Sequence, residues 1–197
     1  IIRMSDFENA EAFYDYIKEK GFGVVEEYLI NHDKIREVYE PALNTMRMIT
    51  IIGDDNEPHL FFAAQKFGVN GRFIDVHGIH APIDLETGIV HFPFHSGNTD
   101  TDLIYTKHPD TGYDLTNYEV PMFKEAKEMI LRAAMKVPEM RYVGWDVAVT
   151  NKGPKIVEGN DYTAYDYMQL PYQNPSRIGV IPDILKLVPS FKDELYK

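Results

Sequence analysis

Cysteine is absent from all 197 residues. That excludes disulfides, thiolate nucleophiles and cysteine-ligated zinc. Basic charge is scarce too: 20 Lys and Arg against 31 Asp and Glu leave a net charge of −11. A nucleic-acid footprint needs clustered Lys and Arg, so no nucleic-acid partner is expected. A small anionic ligand needs only local positive charge or a metal, and stays open. No apolar run approaches the ~20 residues of a transmembrane helix, and no signal peptide is visible, so a cytoplasmic protein is expected. Familiar catalytic signatures are missing as well. There is no Gly-x-Ser-x-Gly elbow, no helical His-x-x-x-His zinc pair and no Walker-type glycine loop. His77 and His80, and His91 and His95, read as surface or hydrogen-bonding residues rather than metal ligands.

What is present is ordinary globular material. Hydrophobic residues make up 44% and charged residues 26%, enough for one large domain or two small ones with a core. The chain opens Ile1-Ile2-Arg3-Met4 with no initiator Met, which leads us to expect a C-terminal portion of something longer.

Ser5-Asp6-Phe7-Glu8 has capping-box spacing, and Phe7, Ala10, Phe13, Tyr14 and Ile17 follow at helical spacing up to Gly21. Gly23 to Leu29 reads as a strand, and Asn31 to Tyr39 as a short helix before Pro41. A β-rich block follows, with strands expected at Thr45 to Ile52, His59 to Phe67, Phe73 to Val76, Ile79 to Ile83 and Ile89 to Phe94. Residues 95–121 are polar and irregular, a length of loop that is usually functional or mobile. Met122 to Val137 is the clearest amphipathic helix, and Ile181 to Val188 reads as another. Asp161 to Pro175, rich in Tyr and polar residues, shows little periodicity. The pattern is α+β, with helices beside a mainly antiparallel sheet.

Between the last two helices lies the most informative stretch: Gly144 to Val149, a turn at Asn151-Lys152-Gly153-Pro154, then Ile156 to Asn160. It reads as a hairpin. Strand side chains alternate faces, so Glu158 and Asn160 point the same way. A two-residue turn at Lys152-Gly153 pairs Asp146 with Gly159 and turns it to the wrong face. A three-residue loop, with Gly153 in the left-handed region, pairs Asp146 with Glu158. Two opposed carboxylates repel, so that register makes most sense with a cation between them. Hard cations such as Mg²⁺ take oxygen ligands, one or two carboxylates plus substrate phosphates. The bland alternative is a hairpin whose acids simply face water. Arg47 and Arg72 add planar guanidinium forks suited to phosphate or carboxylate; each could equally be a surface Arg beside an acid.

The hairpin resembles the metal-binding signature of the ATP-grasp superfamily, an Asp on one strand and Glu-x-Asn on the next. Further segments occur in the order seen in the sugar-transfer-associated ATP-grasp family, which is similar to α-L-glutamate-ligase-like proteins. They are Val25-Glu26-Glu27-Tyr28, Asn44-Thr45-Met46-Arg47, Ile83-Asp84-Leu85-Glu86-Thr87-Gly88 and Lys107-His108-Pro109-Asp110-Thr111-Gly112. The chain departs from the family pattern at Asp75-Val76-His77-Gly78, where a doubled Gly is common. It departs again after Asn160, where Asp161-Tyr162-Thr163 stands in place of Pro-Gly.

The resemblance implies an ATP-grasp-like α+β fold whose N-terminal part is absent here. Residues 1–28 would end the central subdomain with a hinge strand, and 29–197 would form the C-terminal subdomain. It also implies ATP and Mg²⁺. Glu26, Glu27, Tyr28 and Leu29 would meet adenine and ribose, and Asp146, Glu158 and Asn160 would hold Mg²⁺. Arg47 and Arg72 would serve catalysis by facing phosphate or an acyl-phosphate. The implied reaction is carboxylate–amine (or carboxylate–thiol) ligation through an acyl-phosphate, with small-molecule carboxylate and amine partners, in cell-surface polysaccharide or peptide-conjugate synthesis. Such transfer rests on positioning and charge neutralisation, so no Cys or Ser nucleophile is needed. The fragment alone is expected to be nearly inactive, and a homodimer is compatible with the pattern. The competing expectations are a non-catalytic nucleotide-binding or scaffold module, and a metal-dependent hydrolase using the same carboxylates.

Overall fold

The structure is a computed structural model that describes residues 2–97, 103–163, 168–169 and 179–192. The chain divides into two compact units, 1–30 and 31–197.

In the first unit, a 3₁₀ turn at Met4–Asp6 precedes helix α1, Ala10–Glu19. The expected cap at Ser5 gives way to Asn9, whose side chain accepts from Ala12 N at 2.9 Å. Asp6 is already engaged, accepting from Arg3 N at 3.0 Å, so the chain does not become helical until past it. Phe7, Phe13 and Tyr16 pack their rings together at 5.2 Å between centroids. The strand expected at Gly23 to Leu29 does not form. A strand needs a ladder partner for its N–H and C=O groups, and the described residues supply none here. Val24, Val25 and Tyr28 are accordingly exposed.

The second unit is built on antiparallel pairing. Its strands are β1 (Thr45–Ile52), β2 (Pro58–Phe67), β3 (Ile79–Pro82), β4 (Ile89–Val90), β5 (Phe94–Ser96), β6 (Ile104–Tyr105), β7 (Tyr118–Glu119), β8 (Tyr142–Thr150) and β9 (Gly153–Asn160). Seven of them form one sheet in the order β6-β5-β3-β2-β1-β8-β9, while β4 and β7 pair separately. Helices α2 (Asp33–Val38), α3 (Phe123–Ala134) and α4 (Ile181–Leu187) complete it. The α+β class expected from the sequence is thus the one observed.

Alternation sorts this sheet into two faces. Met46, Met48, Ala63, Phe67, Val143, Trp145, Val147 and Val149 join one hydrophobic cluster, together with Phe123, Ala126, Ile130 and Ala134 of α3. The apolar stripe of α3 therefore closes that face. The residues between them point the other way, and include Thr45, Arg47, Lys66, His80, Asp146 and Glu158. All the candidate chemistry of the sheet lies on this second face.

Three expected strands come out differently. Phe73 to Val76 is a loop in which Ile74 alone bridges, parallel, to Leu43. Ile89 to Phe94 breaks at Pro93 into β4 and β5, which belong to different sheets, because Pro cannot donate to a ladder. The described part of 95–121 holds β6 and β7 as well as turns. Within it, the Lys107-to-Gly112 motif is structural. His108 is buried, stacks on Tyr39 at 4.8 Å and contacts Gly68 O at 2.9 Å, and Thr111 donates to Val38 O at 2.9 Å.

Candidate functional site

The hairpin places Asp146 opposite Glu158, as expected, but by a different route. The ladder closes at Thr150↔Gly153, leaving Asn151 and Lys152 as a two-residue turn, with Gly153 at a φ of +118°. From that turn a regular ladder would set Asp146 against Val157. A β-bulge intervenes: Val147 pairs with Ile156, and Asp146 pairs with Glu158, so Val157 is the extra residue. The three-residue loop read from the sequence is thus replaced by a shorter turn and a bulge, which together restore the same register.

Across β1 the register sets Arg47 opposite Asp146 as well. Arg47 Nη2 donates to Asp146 Oδ2 at 3.2 Å, and Nε lies 3.1 Å from Oδ1. Lys66, on β2 beyond β1, reaches the same Oδ1 at 3.2 Å and Asp75 Oδ1 at 3.3 Å. Asp75 Oδ2 accepts from both the backbone N–H and the hydroxyl of Thr45, each at 2.7 Å. Arg47 Nη1 donates to Thr163 Oγ1 at 3.1 Å. At the hairpin edge, Asn160 Nδ2 donates to Glu158 Oε1 at 3.1 Å. The cation inferred between the opposed acids is, for Asp146, supplied first by Arg47 and Lys66.

Close backbone approach frames the cluster. The loop carrying Asp75 leaves β2 at Gly68 and enters β3 after Gly78. A Cβ on Gly78 would sit 1.9 Å from Phe67 O, and one on Gly68 would sit 2.6 Å from Ala42 Cβ. Asn44, fully buried just before Thr45, accepts from Gly68 N at 2.9 Å and donates to Tyr39 O at 2.6 Å. Its own N–H is accepted by Asn31 Oδ1 at 2.7 Å. The Asn44-Thr45-Met46-Arg47 segment is therefore half scaffold and half site. On the other side, Thr163 lies so close over Gly144 that a Cβ there would meet Thr163 Oγ1 at 2.2 Å.

Environment drives the two opposed carboxylates apart. Burial raises the Asp146 carboxyl above its ordinary range, and the charge of Asp75 adds to that rise; Lys66 and Arg47 pull against both. The Asn160 hydrogen bond holds Glu158 below its ordinary range despite some burial, with Arg47 and Lys66 adding to the effect.

Arg72 is exposed and donates to Val76 O at 3.3 Å, within its own loop. Glu26, Glu27, Tyr28 and Leu29 lie in the irregular end of the first unit. His80 and His95 are not surface residues. They are buried and paired between β3 and β5, with ring centroids 6.4 Å apart. Sequence reasoning missed Lys66, Asp75 and Thr163. Lys66 carried a signal, being a cation near the end of an apolar strand. Asp75 and Thr163 come from loops, where no periodicity points to a face.

Among the described residues no three Asp, Glu, His or Cys side chains form a ready metal cage. Mg²⁺ does not demand one, since it takes one or two carboxylates and fills its shell with phosphate oxygens and water. Asp146, Glu158 and the amide oxygen of Asn160 make a hard-oxygen set on one face. Asn160 turns its NH₂ to Glu158 Oε1 and Gly144 O, so its amide oxygen is not the atom engaged there. The donor chemistry fits.

The model of the sugar-transfer associated ATP-grasp family matches residues 4–178. No curated protein and no solved structure gives a significant match. No helix among the described residues is long and apolar enough to cross a membrane.

Proposed function

Because this chain belongs to the sugar-transfer associated ATP-grasp family, we propose that it serves a Mg-ATP-dependent ligase. The enzyme would join a carboxylate to an amine or thiol through phosphate activation of the acid, in the cytoplasmic steps of polysaccharide or peptide-conjugate synthesis. The observation that carries this reading is the meeting of Asp146 and Glu158 across the hairpin, with Arg47 and Lys66 on the same sheet face.

Asp146, Glu158 and Asn160 would hold Mg²⁺, which when bound offsets phosphate charge. Arg47 and Lys66 steady Asp146 and bring positive charge to the floor of the site. Arg47 presents a planar fork to an incoming anion. Arg72 is the second candidate for that anion, and Glu26 to Leu29 for adenine and ribose. Arg47, Lys66 and Asp146 are largely shielded from water, which strengthens the contacts among them.

Hydroxamate formation by the full-length protein that carries this chain tests the reaction, with Mg-ATP, hydroxylamine as the amine and a panel of carboxylic acids. Product is expected with at least one acid, and it should fall at least a hundredfold in Asp146→Asn and Glu158→Gln. Unchanged rates in both variants would refute these assignments. Binding of Mg-ATP with no turnover would favour a nucleotide-binding module. Phosphate release that ignores the amine would favour a hydrolase.

A further inference from the structure

A groove of about 1090 Å³ opens on the polar face of the sheet, next to the charged cluster. Ile51 and Tyr142, paired across β1 and β8, supply its floor, and Ile181, Ile184, Val188 and Phe191 supply much of one wall. Its size suits an extended small molecule, and its lining is mostly apolar, as small-molecule sites are. No residue of α4 is buried, so the helix keeps a half-exposed apolar side toward the groove. The wall is nonetheless fixed. Asp54 accepts from Ser190 N and Oγ, both at 2.9 Å, and from Arg141 Nη2 at 3.1 Å.

The groove also has polar lining residues, among them Asp161, Thr163 and Gln169. The Thr163 hydroxyl accepts from Arg47 Nη1. Burial raises the Tyr142 hydroxyl above its ordinary range, and the Arg47 charge pulls against that rise. A guanidinium carries five N–H donors. Asp146 and Thr163 engage one on each terminal nitrogen, so each keeps a second. An apolar trough thus carries the Thr163 hydroxyl, with the Arg47 fork behind it and the exposed Asp161 carboxylate also in the lining.

We propose that this groove binds the apolar body of the carboxylic-acid substrate, with its carboxylate at Thr163 and Arg47. This names the substrate class for the ligase reading and rests on it. The substrate is an amphipathic acid with an extended hydrocarbon or aromatic body, and not a small polar acid. Gly144 makes the junction possible, since any side chain there would push Thr163 off the sheet.

The test is a titration of isoleucine-methyl-labelled protein, followed by NMR, with dodecanoate, dodecanol and acetate as probes. Dodecanoate should shift the methyls of Ile51, Ile181 and Ile184 and leave Ile130, on the buried side of α3, unmoved. Acetate should bind at least a hundredfold more weakly. Thr163→Val and Arg47→Met should each weaken dodecanoate at least tenfold and leave dodecanol unchanged. Ile184→Asp should weaken both. Thr163→Val keeps the comparison decisive if Arg47→Met does not fold. The proposal is overturned if dodecanoate leaves these methyls unmoved, or if acid and alcohol bind alike in every variant. It is equally overturned if the same methyls shift with protein concentration alone, which would make the groove a contact between copies. Mg-ATP affinity measured on the same sample separates the two claims. Mg-ATP binding without dodecanoate binding sinks only the substrate class, whereas the reverse sinks the ligase reading.

Discussion

Arg47 and Asp146 face each other across β1 and β8, with Nη2 3.2 Å from Oδ2 and Nε 3.1 Å from Oδ1. Both side chains are largely shielded from water, at 16% and 11% exposure. At such a pair, removing one partner strands the other charge in a poor solvent. Lys66, shared between Asp146 and Asp75, cannot fully replace the guanidinium.

Arg47→Met is therefore expected to destabilise the fold by about 3 kcal/mol. Asp146→Asn should cost less, because Lys66 keeps Asp75 and Arg47 keeps Thr163. The double variant should be clearly less damaging than the sum of the two. Urea unfolding of the four proteins measures this, and strict additivity would show the pair to be uncoupled.

Acid sensitivity should begin well above the carboxylate range. Burial, with the charges of His95 and Lys66 beside it, depresses the His80 pKa to about 3. In the unfolded chain this imidazole takes a proton below its ordinary pKa of about 6.5, whereas in the folded chain it stays neutral. Stability should thus fall as pH drops from about 6.5 toward 3, by up to about 1.4 kcal/mol per pH unit. The urea midpoint at pH 7, 6 and 5 reads this slope, and His80→Gln should flatten it. An equal slope in His80→Gln would place the sensitivity elsewhere.

Glu158 should respond to loss of its amide neighbour. Its carboxyl is held down chiefly by Asn160, so Asn160→Ala should raise its pKa toward the ordinary value. A depressed carboxyl stabilises the fold above its unfolded pKa, and that contribution fades as pH falls through the folded value. Carboxyl-carbon NMR titration should show the Glu158 midpoint moving up in Asn160→Ala. A stationary midpoint would mean that the amide does not set it.

Two glycines should differ sharply in their tolerance of alanine. At Gly78 the added methyl meets a backbone carbonyl, Phe67 O, at 1.9 Å, whereas at Gly144 it meets the Thr163 side chain. Backbone cannot rotate aside, so Gly78→Ala should be the more destabilising, beyond the usual 1–3 kcal/mol of overpacking. Gly144→Ala should stay folded and lose the Arg47–Thr163 contact. Thermal melts rank the two, and the reverse order would contradict the packing described.

The sheet's long strands and the α3 stripe were legible because period and length are written in the residues. Alternation put Glu158 and Asn160 on one face, whereas Asp146 joins them through the hairpin register and Arg47 through its pairing with β8. The hairpin shows the limit of such reasoning. Its pairing was anticipated through a turn that the structure does not use, because a bulge at Val157 shifts the register without leaving a Gly or Pro to mark it. Pro93 was visible, yet its effect, splitting one expected strand between two sheets, depends on partners distant in sequence. Lys66 and Asp75 share a salt bridge although one lies on a strand and the other on a loop. Only the close turns at Gly68 and Gly78 bring them together, and no local pattern encodes that meeting. The resemblance to the ATP-grasp family was carried by ordered segments that the structure divides between two tasks. Asp146, Glu158 and Arg47 meet on one face as the candidate site, while Asn44, His108 and Thr111 make buried scaffold contacts.

Calorimetric titration with Mg-ATP, on the parent protein and on Glu158→Gln, tests the central claim most directly. Glu158 is exposed at the hairpin edge, so its replacement should leave the fold intact and isolate the ligand role proposed for it. Mg-ATP is expected to bind the parent and to bind Glu158→Gln at least tenfold more weakly, with the difference vanishing when Mg²⁺ is withheld. Equal affinity of the two proteins for Mg-ATP would contradict a nucleotide-metal site on this hairpin.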